Sequence, residues 1–252
     1  MMRDRQFLLM ALLALSGGWL MQSHGQDQPI ILIADPKILA IHVIDNHEPM
    51  VDLTKQKEIA YGPSPEIRNN TDYTHIRKSV YDKLKQAQAL LPKGLRFCLY
   101  EAYRSLKLQK MLFENRFKLV KQQHPDWSQE ALFNETTKLV SPVLNPDGSH
   151  NIPPHSTGGA IDVYLIDAKG HPVDMGIHPK DWMQDHDGSR SLTLSSVIAE
   201  EAKQNRDIMS RALSAVGFVN YPTEYWHWSY GDRYWAYHTK QTHAVYNSYA
   251  EK

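Results

Sequence analysis

The strictest condition on how this chain can fold comes from two short segments far apart in it, PPHSTGGAID (residues 153–162) and PTEYWHW (residues 222–228). They carry His155, Asp162 and His227, two imidazoles and a carboxylate. That is the ligand set of a catalytic zinc whose fourth position stays open for water, and it requires the fold to bring the two segments together. Glu224, three residues before His227, is then left over as a general base. The division of labour suits a hydrolase: zinc lowers the pKa of its water, and a nearby carboxylate takes the remaining proton.

Each half has a plainer reading. One His and one Asp around Ser156-Thr157-Gly158-Gly159 make an ordinary surface turn, although the glycines give the backbone freedom that a tight turn beside a metal needs. His227 could be a satisfied histidine in an aromatic core with Trp226 and Trp228, but that leaves Glu224 without a purpose. Aromatic walls exclude water and make an unpaired charge costly, so both polar groups should have partners.

The chain has 13 histidines, so accidental pairs are easy to find. His150, His171, His178 and His186 are rival ligands, but they lie in polar, loop-like sequence and read as solvated. His42, His47, His75, His124, His238 and His243 are unremarkable, and Asp174 in Val-Asp-Met-Gly reads as a turn cap. Cys98, the single cysteine, permits no intramolecular disulfide and reads as a small buried apolar residue. Lys and Arg together number 28, as do Asp and Glu. That balance argues against a nucleic-acid partner or an anionic membrane, both of which call for a basic face.

Arg3 and Arg5 precede an apolar stretch over residues 7–21, and the small residues Ser23 and Gly25 follow. This pattern predicts a signal peptide over residues 1–25, and hence an exported protein, periplasmic or secreted. The stretch is too short for a spanning helix, so stable membrane insertion is not expected after signal removal. Residues 26–252 then form one domain, with no repeat or long linker.

Residues 26–70 are hard to read, with short strand candidates at 30–33 and 41–44. Ile76, Val80, Leu84 and Leu91 recur at helical spacing before Pro92. Residues 95–100 alternate as a strand leading to Arg104, near a strand end where functional side chains are often displayed. Helical patterns follow at 105–123 and after Asp126, where residues 126–129 resemble a capping box. Residues 160–166 read as a strand with Ala160, Asp162 and Tyr164 on one face. A long helix is expected over 195–215, stopping at Gly217, then a hairpin of 218–220 and 225–230. Strands mixed with segregated helices indicate an α+β fold. The polar stretch 167–190 has no derivable conformation.

The combined pattern resembles the zinc-dependent D-alanyl-D-alanine dipeptidases of the vancomycin-resistance type, within the wider group of D,D-peptidases and hedgehog-like zinc proteins. The motifs Ser-x-His-x-x-Gly-x-Ala-x-Asp and Glu-x-Trp-His are matched by His155, Gly158, Ala160 and Asp162, and by Glu224, Trp226 and His227. Tyr103-Arg104, the Asp174-Met175-Gly176 turn and Asn205-Arg206 extend the likeness over roughly residues 75–237. It implies a single-domain hedgehog/D,D-peptidase-like fold with a central antiparallel sheet flanked by helices. It also implies one Zn2+ per chain on His155, Asp162 and His227, Glu224 as catalytic base, and Arg104 stabilising the oxyanion. The implied substrate is a D,D-dipeptide or a peptidoglycan-derived peptide. Pro153 stands where the pattern has Ser, and Ser105 follows Arg104 where Pro is usual.

Three other readings fit parts of this pattern. A peptidoglycan D,D-carboxypeptidase or endopeptidase would use the same chemistry in a more open cleft. A catalytically inactive zinc-binding module would not need Glu224 and Arg104. An iron oxygenase uses two His and a carboxylate as well, but with His and Asp two apart.

Overall fold

The computed structural model describes residues 29–249, so the signal peptide expected over residues 1–25 lies outside them. In chain order the elements are α1 (Pro36–Leu39), β1 (Met50–Asp52), β2 (Ala60–Tyr61), β3 (His75–Arg77), α2 (Lys78–Ala89), β4 (Arg96–Glu101), α3 (Leu106–Gln123) and α4 (Gln129–Thr136). There follow α5 (Pro154–Thr157), β5 (Ala160–Ile166), α6 (Glu200–Ala215), β6 (Val219–Tyr221), β7 (Glu224–Ser229) and α7 (Arg233–His238). The architecture is α+β: a five-stranded sheet in the order β2-β4-β5-β7-β6, flanked by helices. The sheet is antiparallel except at its edge, where β2 runs parallel to β4. Among the described residues no helix is long and apolar enough to cross a membrane.

The alternation in β4 and β5 sorts their side chains between two cores. Phe97, Leu99, Ile161, Val163 and Leu165 join Trp228 beneath α2 and α6, which contribute Val80, Leu84, Met209 and Leu213. Fully burying a side chain of this kind contributes about 1.5–3 kcal/mol. Cys98, Tyr100, Tyr164 and Ile166 form a smaller cluster on the opposite face. Cys98 is buried and unpaired, as its strand position implied, and burial raises its thiol pKa.

Several expectations need correction. Ile76 does not begin a helix; it pairs with Val51 in a separate two-stranded sheet of β1 and β3, and tertiary pairing overrides its helical spacing. No strand forms at 30–33, where Ile33 packs instead against Tyr221 and Tyr234. The segment 41–44 makes only an isolated bridge from Val43 to Ala244. The cap of α4 is Ser128, which accepts from the Ala131 N–H at 3.1 Å, and not Asp126. Helix α6 begins at Glu200 because Ser195 closes a local turn by accepting from the Val197 N–H, which competes with helix formation.

The stretch that sequence could not resolve is tied down by Arg206 of α6. Its guanidinium donates to the carbonyls of Met175, Arg190 and Leu192 and lies 4.0 Å from the centroid of the Tyr225 ring. Burial lowers its pKa to about 10. His178 is also not solvated: it is half-buried, its ring lies tilted with its centroid 4.5 Å from that of Tyr164, and it accepts from the Lys180 N–H.

Candidate metal centre

Strand register assembles most of the site. Asp162 of β5 lies directly opposite His227 of β7, and opposite Glu101 of β4 on its other side. Directly opposed residues have Cβ atoms about 5 Å apart, so three polar side chains stand in a row across the sheet. His155 comes from α5, a single turn ended by Gly158 in the left-handed conformation (φ 71°). Gly159 is equally constrained, since a Cβ there would lie 2.4 Å from the Tyr230 carbonyl oxygen.

Long-range backbone bonds hold the turn that carries His155. Arg77 donates its backbone N–H to Gly158 O at 3.0 Å and its Nε–H to Thr157 O at 2.8 Å. The Tyr249 N–H donates to Ser156 O at 2.7 Å, and the Arg104 N–H to His155 O at 3.3 Å.

The three candidate ligand atoms form a triangle. His227 Nδ1 is 3.0 Å from Asp162 Oδ1 and 3.1 Å from His155 Nε2, and the latter is 3.3 Å from Asp162 Oδ1. His155 Nδ1 lies 2.7 Å from Ala102 O, and a carbonyl only accepts, so Nδ1 carries the hydrogen and a neutral ring turns its Nε2 lone pair inward. A single N–H on His227 can at best be shared between the two other atoms. A tetrahedral ion bonded at about 2.1 Å satisfies all three, since its ligands stand about 3.4 Å apart. Two imidazoles and a carboxylate thus fit zinc in both donor chemistry and spacing. Burial works against the Asp162 charge, but the imidazoles of His155 and His227 outweigh it and hold its carboxyl below the usual range.

Glu224 and His227 are three apart, and in a regular strand they would face opposite sides. They share a side because β7 is irregular: Tyr221 pairs with Glu224 while the adjacent Asn220 pairs with Trp228, leaving residues 225–227 bulged. The Asn220 side-chain amide fills the bulge, donating to Glu224 O at 3.2 Å and His227 O at 3.0 Å. Sequence reasoning missed this residue, and no local pattern pointed to it. Asn220→Ala should destabilise the fold by about 1–3 kcal/mol in urea denaturation and lower kcat more than it raises KM. Unchanged stability would remove Asn220 from any such part.

Glu224 is buried, accepts from Trp226 Nε1 at 3.0 Å and lies 4.0 Å from His227 Nδ1, outside the triangle. Burial first, then the Asp162 charge, raises its carboxyl well above the ordinary range, which favours proton uptake. Arg104 is held by Glu101, which accepts from Nε at 3.0 Å and from Nη2, and by Gln109, which accepts from Nη1 at 2.9 Å. Of its five N–H groups two remain uncommitted. Arg104 and Glu224 together line two small cavities of about 30 Å³ and 20 Å³, the first bordered by His155 and His227, the second by Asp162. The five residues singled out from sequence therefore converge.

Elsewhere Asp174 closes its own turn by accepting from the Gly176 N–H at 2.7 Å, and it lies outside both cavities. Ser105 is the cap of α3, accepting from the Leu108 N–H at 3.3 Å. Pro153 precedes α5 without a side-chain cap.

A family model described as D-Ala-D-Ala dipeptidase matches residues 68–248. A curated D-alanyl-D-alanine dipeptidase of Synechocystis sp. is 26% identical over 242 residues, covering 81% of this chain and 91% of that protein. Among solved structures, VanYB in complex with D-alanine-D-alanine is 12% identical, with a TM-score of 0.39 over 81% of this chain and 93% of that one. The LD-carboxypeptidase LdcB is 20% identical, with a TM-score of 0.35 over 78% of this chain and 76% of that one.

Proposed function

The chain belongs to the D-Ala-D-Ala dipeptidase family and is a hydrolytic enzyme, and from that premise we propose that it is a zinc peptidase cleaving the free D-alanyl-D-alanine dipeptide. The observation that carries the reading is the buried triangle of His155, Asp162 and His227 beside a Glu224 that takes no part in it. A bound zinc would supply Lewis acidity, lowering the pKa of water and polarising the scissile carbonyl.

The remaining chemistry belongs to the chain's own residues. Glu224 takes the proton from the attacking water and returns it to the leaving amine. The two uncommitted N–H groups of Arg104 stabilise the oxyanion as the carbonyl becomes tetrahedral. His155 keeps its tautomer through Ala102 O, which leaves Nε2 free to act as a ligand. Trp226 Nε1 donates to Glu224 Oε2 and so fixes the carboxylate beside the ligand triangle. Export through a leader over residues 1–25 would put the enzyme in the compartment where peptidoglycan peptides occur.

The test is a panel of D,D-, L,D- and L,L-alanyl-alanine together with a pentapeptide stem. The free D,D-dipeptide should be cleaved fastest, activity should vanish on chelation, and one equivalent of Zn2+ should restore it. Preference for the stem would favour a carboxypeptidase, and activity in metal-free protein would sink the zinc assignment.

A further inference from the structure

The two imidazoles of the ligand triangle differ in what meets their outer nitrogens. On His155 that nitrogen is Nδ1, whose hydrogen goes to the Ala102 carbonyl. On His227 the triangle takes Nδ1, so a neutral ring that ligates through it carries its hydrogen on Nε2. This Nε2 is buried and has no hydrogen-bond partner among the described residues. A buried N–H left in that condition is costly, and the outer N–H of a metal-bound histidine almost always finds a carboxylate, a carbonyl or a water.

The acceptor stands where β7 gives way to α7. Ser229 is two residues beyond His227 in β7 and shares its face, opposite Ala160 of β5. Asp232 caps α7, its Oδ1 accepting from the Trp235 N–H at 2.9 Å. Its Oδ2 and the Ser229 hydroxyl are both buried, and neither makes a hydrogen bond of normal geometry among the described residues. Ring packing sets α7 beside the imidazole: the Tyr221 centroid lies 5.9 Å from that of His227 and 5.3 Å from that of Tyr234. The Tyr230 N–H donates to Gly159 O at 3.0 Å and pins the same turn to the segment that carries His155. Burial raises the Asp232 pKa, and the Trp235 N–H, Ser229 and the imidazoles of His227 and His155 work against the rise.

We propose that Asp232 is a positioning residue for the metal: with Ser229 it takes up the Nε2 hydrogen of His227 through one ordered water and so keeps Nδ1 turned toward the ion. This rests on the zinc reading and adds to it the group that stands behind one ligand. The water accepts from Nε2, donates to Asp232 Oδ2 and reaches Ser229 Oγ, within the roughly two to four bonds that a buried water makes. Negative charge behind the ring makes Nδ1 a stronger donor to zinc.

The experiment measures zinc affinity by competition with a chromophoric chelator in wild type and in Asp232→Asn. Asn still caps α7 with its carbonyl oxygen, but its NH2 then stands in place of Oδ2 and cannot accept. The dissociation constant for zinc should rise about 10- to 100-fold, while the melting temperature of the metal-free protein stays near that of wild type. In 1H–15N spectra of the zinc-loaded protein the His227 Nε2 proton should lie downfield and exchange slowly, and it should lose both properties in the variant. Ser229→Ala should weaken zinc binding in the same sense by a smaller factor. If Asp232 serves only as a cap, zinc affinity in Asp232→Asn stays unchanged, and that result overturns the assignment. A loss of affinity that comes with collapse of the metal-free protein overturns it as well. Wild-type protein that binds no zinc overturns the metal reading itself, and this assignment with it.

Discussion

Glu224→Gln should lower kcat by about 10²- to 10⁴-fold while the protein still binds one zinc. Gln has the shape of Glu and can accept the same Trp226 N–H, so the bulged strand and the ligand triangle should stay in place. What it cannot do is take up a proton. The buried site enlarges the effect, because the 6% exposure of Glu224 leaves little room for bulk water to act as a substitute base. Metal analysis and turnover should be measured on one preparation. Full metal content with near-normal kcat would exclude Glu224 as the base, whereas loss of metal would mean that it is a ligand.

Arg104→Ala should act on two quantities at once. Loss of an oxyanion donor costs about 2.7–4 kcal/mol in the transition state, roughly 10²- to 10³-fold in kcat. The same change strands Glu101, which is 1% exposed and receives two of the guanidinium hydrogen bonds. Removing one partner of a buried ion pair costs about 3–5 kcal/mol of stability. Arg104→Lys separates the effects: an ammonium can still balance Glu101 but lacks the fork that also reaches the oxyanion. Lys should therefore recover much of the lost stability and little of the turnover. Recovery of both would reduce Arg104 to a structural counter-ion.

The ligand-bearing strands were legible because their pattern and their chemistry agree. Residues 160–166 alternate with period two, and Asp162 falls on the face opposite Ile161, Val163 and Leu165, which the structure buries in the main core. The hairpin of β6 and β7 was legible from Tyr221-Pro222-Thr223, within a residue at its ends. Other features were hidden for physical reasons. Ile76 keeps helical spacing with Val80 and Leu84, yet partners across a sheet decide its conformation. Asn220 works through backbone carbonyls, which carry no sequence signature.

The tie from the Tyr249 N–H to Ser156 O joins a segment well beyond β7 to the turn that presents His155. Asp162 and His227 owe their placement to strand register instead. Loosening the segment around Tyr249 would therefore disturb His155 first and leave the other two groups facing each other, so the triangle is divided between a rigid pair and one tethered member.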